Sequence, residues 1–310
     1  MPTFDTSSFT IPVSQLGRIA DRVQDQSVLA SLSPERPTLF GDVKHTRMTR
    51  DPRAQIVAEG AAKDSDTATW DSAIASPIKF QTTVRMTQEV KWADEDHRLQ
   101  IVQDLVDGIG RSMARAVDLI GLHGINPITG DQASSVTSYL NQTTQRVVLA
   151  NVDGPTAAFD EAVRLVVVGD KADRRLYLPT GAGLDPRFAY ALASERVASG
   201  ANAGAKVNPG MGYGFNAGNL NGLQLASSSA VSGQPEAADT GVRAILGDFT
   251  QMKWGFQRRI PVELIEYGDP DGGGDLKQHN EIAYRAEGVI YVAIFDLDAF
   301  AAVDGVPAGS

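Results

Sequence analysis

The sequence predicts an α+β protein, and three observations carry that assignment. Apolar side chains recur at three–four spacing over residues 94–122, which marks one long amphipathic helix. Strict alternation marks a strand before it at residues 78–86, and residues 241–304 after it read as mostly β, with alternation at Ile260–Ile265. Between these parts, residues 151–240 mix short helices, short strands and a glycine-rich loop.

Taken in order, residues 1–40 carry weak periodicity, with Pro34 and Pro37 breaking any helix that starts near Ile19–Val28. This segment reads as an extended arm lying on another part of the molecule or on a neighbour. Residues 44–92 read as a long two-stranded excursion. Ile78, Phe80, Thr82, Val84 and Met86 share one face, and Ala54–Ala58 is the expected partner strand. Glu59–Thr67 forms a polar tip. A lone hairpin is marginal in water, so this one is expected to dock on another subunit.

The helix over 94–122 presents Leu99, Val102, Leu105, Val106, Ile109, Met113, Val117 and Ile120 on one face. Asp94, Glu95 and Asp96 crowd its first turn, where the helix dipole favours negative charge, and Gly124 and Pro127 end it. Next come a helix over Pro155–Val168, a short strand over Arg174–Pro179 and a helix from Asp185–Pro186 to Ser199. The glycine- and asparagine-rich stretch 200–221 reads as a long loop, and Leu223–Leu225 as a short strand. The closing part is mostly β. Val242–Phe249 leads to Trp254–Phe256, Ile260–Ile265 alternates, Gly268–Asp275 is a turn, and Val289–Phe295 is apolar on both faces.

Composition excludes several classes. With 310 residues and 42% hydrophobic content the chain supports a packed core, two domains being the expectation from length. A net charge of −10 speaks against a dedicated nucleic-acid binder. The absence of cysteine removes disulfides, thiolate nucleophiles, cysteine-held zinc and iron–sulfur clusters. No secretory signal and no run near 18 apolar residues is visible, so a cytoplasmic site of synthesis and no membrane contact are expected.

Catalytic motifs are scarce. There is no phosphate loop and no nucleophile elbow, and His45, His97, His123 and His279 are far apart in sequence, so no cofactor is expected. Gly210, Gly212 and Gly214 do not follow a strand or open a helix, as a dinucleotide loop would. Asp269, Asp271 and Asp275 could offer oxygen ligands to calcium but lack the closing Glu of a twelve-residue loop, and a turn between strands explains them better. Lys44, Arg47, Arg50 and Arg53 recur every three residues. They are either a solvated edge or a pairing surface for Glu263, Glu266, Asp269, Asp271 and Asp275 of another copy.

The order of parts, together with Leu246-Gly-Asp-Phe-Thr-Gln-Met-Lys-Trp-Gly-Phe256, Ile260-Pro-Val-Glu-Leu264, Gly268-Asp-Pro-Asp-Gly272 and Asn280–Glu287, resembles the major capsid proteins of tailed bacteriophages, the Hong Kong 97-type fold. Asp296-Leu-Asp-Ala-Phe300, Trp70 and Gly121–Gly130 fit the same pattern, so the resemblance spans residues 30–303. It implies an N-terminal arm (1–43), an extended hairpin loop (44–87) and a C-terminal tail (305–310). It further implies a peripheral domain with a spine helix (88–150 and 241–304), and an axial domain (151–240) whose loop 200–221 points to the five- or six-fold centre.

The function implied is a non-enzymatic shell subunit that assembles with itself into pentamers and hexamers around double-stranded DNA, in the virion. Its partners would be itself, a portal protein and, in some members, decoration proteins; since only about 40 residues precede the hairpin, scaffolding would come from a separate protein or would not be needed. Some members of the family join subunits by a Lys–Asn isopeptide bond assisted by a Glu. The resemblance puts Lys63 at the donor position, Asn280 at the acceptor and Glu287, seven residues on, at the assisting carboxylate. Two other functions remain open from the sequence: an encapsulin-type nanocompartment shell, and a soluble α/β enzyme with a glycine-rich ligand loop.

Overall fold

The computed structural model describes residues 27–50, 52–97, 101–168, 177–200 and 202–305. The fold is α+β, built among the described residues on three sheets. A two-stranded antiparallel hairpin joins β1 (Val43–Arg50) to β2 (Thr69–Ala75), with Val43 opposite Ala75 and Met48 opposite Trp70. A three-stranded antiparallel sheet places β10 (Glu281–Ile294) between β3 (Ile78–Thr87) and β9 (Met252–Ile265). A mixed six-stranded sheet runs in the order β4 (Arg146–Val148), β11 (Phe300–Asp304), β8 (Val242–Gly247), β5 (Gly181–Leu184), β7 (Leu223–Ser227), β6 (Asn216–Leu220).

Several sequence expectations change here. Ala54–Ala58 forms no strand, and the hairpin is made by β1 with β2. The alternating residues of β3 pair instead with β10, Ile78 lying opposite Ile290 and Thr87 opposite Glu281. Period-two alternation identifies a strand but not its partner. The long helix is found as two helices, α2 (Gln88–His97) and α3 (Ile101–His123). The Asp94 carboxylate accepts from the N–H groups of Ile101 (2.9 Å) and Val102 (3.2 Å). A carboxylate of the first helix thus caps the second, where two free N–H groups need an acceptor.

Of the helix expected from Ile19, residues 19–26 lie outside the described residues, and the helix found is α1 (Val28–Leu32). Residues 174–176 of the strand expected over Arg174–Pro179 are also outside them, Tyr177–Pro179 is not a strand, and the strand is β5. Helix α4 (Pro155–Val167) is where the periodicity predicts it, whereas α5 (Pro186–Ser194) stops short of Ser199. The glycine-rich stretch 200–221 is not wholly loop, since β6 lies inside it. The segment 241–304, read from sequence as one part with 88–150, divides between sheets: β9 and β10 pair with β3, while β8 and β11 join β5, β6 and β7.

The core is continuous from the spine helix α3 through both larger sheets, with Trp254, Phe159, Phe188 and Phe300 almost wholly buried. Helix α1 is clamped into it. Asp118, fully buried on α3, accepts from Ser27 Oγ (2.6 Å), Val28 N (2.9 Å) and Leu29 N (3.0 Å). Gly121 of α3 leaves the space that Leu29 fills, so a side chain there would collide with it. Beyond α1 the chain runs along the outer edge of β9, Arg36 N donating to Trp254 O (2.9 Å) and Trp254 Nε1 to Ser33 O (3.0 Å). Gly255 is required there because a Cβ would strike the Arg36 backbone.

Candidate intersubunit surfaces

The hairpin leaves the body at a root that is packed and bonded. Val43 and Ala75 meet Tyr291 and Ala293 of β10 in a small apolar cluster. His45 stacks near Tyr291 (ring centroids 5.5 Å) and edge-on to Phe295 (5.9 Å). Its Nε2 is buried without a partner among the described residues, and burial, then Lys253 and Arg36, lowers its pKa. Arg47 turns inward, pairing with Asp296 (3.2 Å) and donating to Gln251 Oε1 (3.3 Å) and Tyr177 Oη (3.4 Å). Tyr177 in turn donates to Asp296 (2.5 Å), and burial together with this carboxylate pushes its hydroxyl up to about 12.

The basic row seen in the sequence is therefore not one row. A spacing of three alternates faces on a strand. Lys44 is exposed, whereas Arg47 faces the body. Arg50 binds Asp66 of the returning limb (2.7 and 3.0 Å), and the Arg53 backbone N–H donates to the same carboxylate (2.7 Å). That N–H and then the Arg50 guanidinium hold Asp66 down at about 2. Gln55 and Asp64 bridge the limbs further out, Gln55 Nε2 to Asp64 at 3.2 Å and Asp64 N to Gln55 Oε1 at 3.1 Å. Lys63 stands exposed at the tip.

The acidic stretch is drawn together by a residue that sequence reasoning missed. Arg85 of β3 donates from Nε to Asp271 (2.7 and 2.8 Å), and pairs with Asp269 (2.9 Å) and Glu281 (3.0 Å). It also donates to Gly274 O (2.8 Å). Arg85 lowers the Asp271 pKa. The calcium reading of this turn gives way to a guanidinium, and among the described residues no cluster of acidic or His ligands could hold a metal. Asp275 caps the short 276–279 turn through Lys277 N (2.9 Å) and Gln278 N (3.2 Å). Glu263 lies exposed on β9 opposite Arg285, and Glu266 follows the end of that strand. Nothing local in the sequence pairs Arg85 with carboxylates 184 to 196 residues away.

Asn280 sits in left-handed backbone (φ 55°) just before β10 and donates to Glu89 Oε1 at 2.5 Å. Glu287 lies within β10 and binds Lys79 at 2.9 Å. Seven residues along a strand span roughly 23 Å, so the two are far apart in one subunit. The carboxylate beside Asn280 in its own subunit is Glu89.

Comparison with known proteins places this architecture. A family model described as the phage capsid family matches residues 7–305. The chain belongs to the phage capsid family. A solved structure from Mycobacterium phage Ogopogo is 40% identical, with a TM-score of 0.78 over 91% of this chain and 92% of its own. One from Gordonia phage Cozz is 27% identical, with a TM-score of 0.75 over 91% and 87%. The capsid of a native GTA particle, at 14% identity and a TM-score of 0.57 over 89% of each chain, shares the fold. No relative was found among curated proteins. As a phage capsid family member the chain is a structural protein, the major capsid protein of a tailed phage, and its place is the shell of the virion. Building a shell requires it to associate with itself.

Proposed function

We propose that the subunits assemble as pentamers and hexamers of an icosahedral shell around double-stranded DNA, and that the projecting hairpin is the clasp between neighbours. The observation that supports this reading most is the contrast within the hairpin. Its root is packed and bonded to the body, whereas residues 52–68 are exposed but for half-buried Val57 and leave Ile56 fully exposed. Such heterologous contacts close into rings when the rotation allows. Residues 27–43 act as the inner end of an arm, and residues 151–240 as an axial lobe whose loop 200–221 faces the ring centre. Residues 88–150 and 241–304 act as the peripheral lobe, with β4, β8 and β11 lending strands to the axial sheet.

The exposed cation Lys44, the carboxylates Glu263 and Glu266, and Asp269 beside Arg85 are suited to steer one copy against another. In this reading Lys63 Nζ of one subunit attacks Cγ of Asn280 of another, the Cγ–Nδ2 bond breaks, and the amide nitrogen leaves as ammonia; Glu287, roughly 23 Å from the acceptor along its own strand, takes the lysine proton from a further subunit. Glu89 must release Asn280 first. The subunit has no catalytic turnover. It is made in the host cytoplasm, and its further partners are a scaffolding protein, a portal protein and external decoration proteins. The net charge of −10 suits a wall that encloses DNA without gripping it.

Negative-stain electron microscopy with size-exclusion chromatography of the protein expressed alone tests the reading. Closed shells or five- and six-membered rings are expected. A monomer that stays monomeric on co-expression with its scaffolding and portal proteins overturns it. A 33 kDa band alone on a denaturing gel of mature particles removes the covalent link and leaves the rest.

A further inference from the structure

The root of the hairpin buries polar atoms that its own chain leaves unanswered. Thr38 Oγ1, His45 Nε2 and Arg47 Nε are all buried without a partner among the described residues. Of the three, His45 is the group whose charge changes near neutral pH. Its imidazole lies against the rings of Tyr291 and Phe295. The charges that act on it are both positive, Lys253 of β9 and Arg36 of the segment before the hairpin. Lys253 Nζ stands 5.0 Å from the Phe295 ring centroid, and the Tyr291 hydroxyl donates to Arg36 O (2.8 Å). The carboxylates of the neighbouring elements are engaged elsewhere. Asp296 holds Arg47 and Tyr177, Glu35 holds Arg259, and Asp71 of β2 lies opposite Arg47, whereas Ala73 lies opposite His45. Protonation therefore turns Nε2 into a charged donor with no acceptor, beside two cations, and that is costly in a buried place.

We propose that the hairpin root is a proton-operated hinge: protonated His45 leaves its seat against Tyr291 and Phe295, and the hairpin swings away from the body. Val43, His45 and Arg47 share the face of β1 that meets the body, so the ring cannot leave without lifting the strand. The chain can bend on both sides of the root. Gly41 stands in positive-φ backbone (134°) with open space around it, held by Gln257 through Nε2 to Gly41 O (2.7 Å) and Gly41 N to Oε1 (3.4 Å). On the returning side Ser76 and Pro77 separate β2 from β3. The folded chain binds this proton less readily than the unfolded chain. The docked root is thus fully stable above the ordinary histidine value of 6.5 and loses stability as pH falls below it. Asp118 titrates in the same range with the opposite sign, but its bonds go to Ser27, Val28 and Leu29, so the two groups loosen different parts of the chain. The consequence for shells rests on the reading of the hairpin as a clasp: acid weakens the contacts between neighbours while each subunit stays folded.

Hydrogen exchange read by mass spectrometry on the full chain tests this, at about pH 7.5 and about pH 5.5, with rates corrected for intrinsic exchange. Amides of residues 43–50 and 69–75 are expected to exchange several-fold faster at the lower pH, with β9 and α3 unchanged. His45→Phe keeps an aromatic ring without a titrating group and is expected to remove the difference. No acceleration in the parent, acceleration across the whole chain, or the same acceleration in the variant overturns the hinge. If His45→Phe yields no folded protein, His45→Asn takes its place with the same expected outcomes. Assembled particles separate the hinge from the clasp. At about pH 5.5, parent particles are expected to dissociate several-fold faster than those of the variant, measured by light scattering. A root that loosens in the exchange data while both kinds of particle dissociate alike sustains the hinge and overturns the clasp.

Discussion

Two segments leave the body of this subunit with little regular structure, and they are held in opposite ways. Residues 27–41 are bound to their own chain. Asp118 takes three donors from Ser27, Val28 and Leu29, Gly121 is hollowed for Leu29, and Ser33 to Thr38 lie along β9. Residues 52–68 are almost all exposed and are bonded within the hairpin, through Arg50–Asp66 and Gln55–Asp64. Burial supplies most of the stabilisation available to a segment, and exposed ion pairs contribute little. The first segment therefore belongs to the folding of one subunit. The second is shaped in advance by bonds within the hairpin, and the proposed clasp places its further stabilisation on another copy.

The sharpest way to break this division is to damage the element that holds the first segment. Ile109 is buried on α3 within the main core. Ile109→Asp is expected to cost about 4 kcal/mol or more, because a buried carboxylate would have no partner there. Loss of soluble protein, or a collapse of the urea midpoint, is the expected result. An intact midpoint would show that this face of α3 is not core.

A smaller effect is expected at the latch itself. Asp118→Ala leaves three donors unsatisfied and is expected to cost about 2–4 kcal/mol. The same carboxylate has a pH signature. Burial raises it to about 6, against the opposing pull of Ser27 and the N–H groups of Leu29 and Val28. The folded state thus holds a proton more tightly than the unfolded chain. That contribution is fully present below the ordinary aspartate value of about 4 and is lost as pH rises through 6, a difference of up to about 3 kcal/mol. Asp118→Asn should flatten the slope of stability against pH between 4 and 6. A variant that keeps the wild-type slope assigns it to another group.

How much of this was legible in the sequence follows from what a local pattern can carry. The spine helix was visible because Val106, Ile109, Met113, Val117 and Ile120 repeat within one element, and all are buried. The division of that helix was half visible. The sequence places Asp94 at a helix N-terminus, and it does cap one, but from the helix before it. The hairpin was expected, yet with the wrong partner, because alternation at β3 says nothing of β10 some 200 residues later. The latch at Asp118 and the Arg85 cluster were invisible for the same reason: each joins groups that no spacing rule connects. Lys44, Arg47, Arg50 and Arg53 formed a row only in the sequence, since a strand sends alternate residues to opposite sides.

The root of the hairpin sharpens the comparison further, since it is where a bound segment becomes a free one. Arg47→Met removes the pair with Asp296 and the donors to Gln251 and Tyr177 while keeping much of the stem. The expected cost is about 1–2 kcal/mol. Faster hydrogen exchange should appear at the amides of β1 and β2 and not at those of β9 or α3. Equal acceleration throughout would mean that the root has no independence from the core.

The smallest effect on folding is expected from the largest cut. Replacing residues 54–65 by a short glycine–serine link removes Ile56, Lys63 and the Gln55–Asp64 bridge, but keeps Arg50, Asp66 and both hairpin strands. Nothing in the described core touches the removed residues, all of them exposed or nearly so. Loop shortening itself changes closure entropy by less than about 1 kcal/mol. The thermal midpoint should therefore stay within a few degrees of the parent, while rings and shells disappear from micrographs. A truncated chain that still forms shells would remove the tip from assembly. One that loses stability as well would show that the tip belongs, like the latched segment, to the fold of a single subunit.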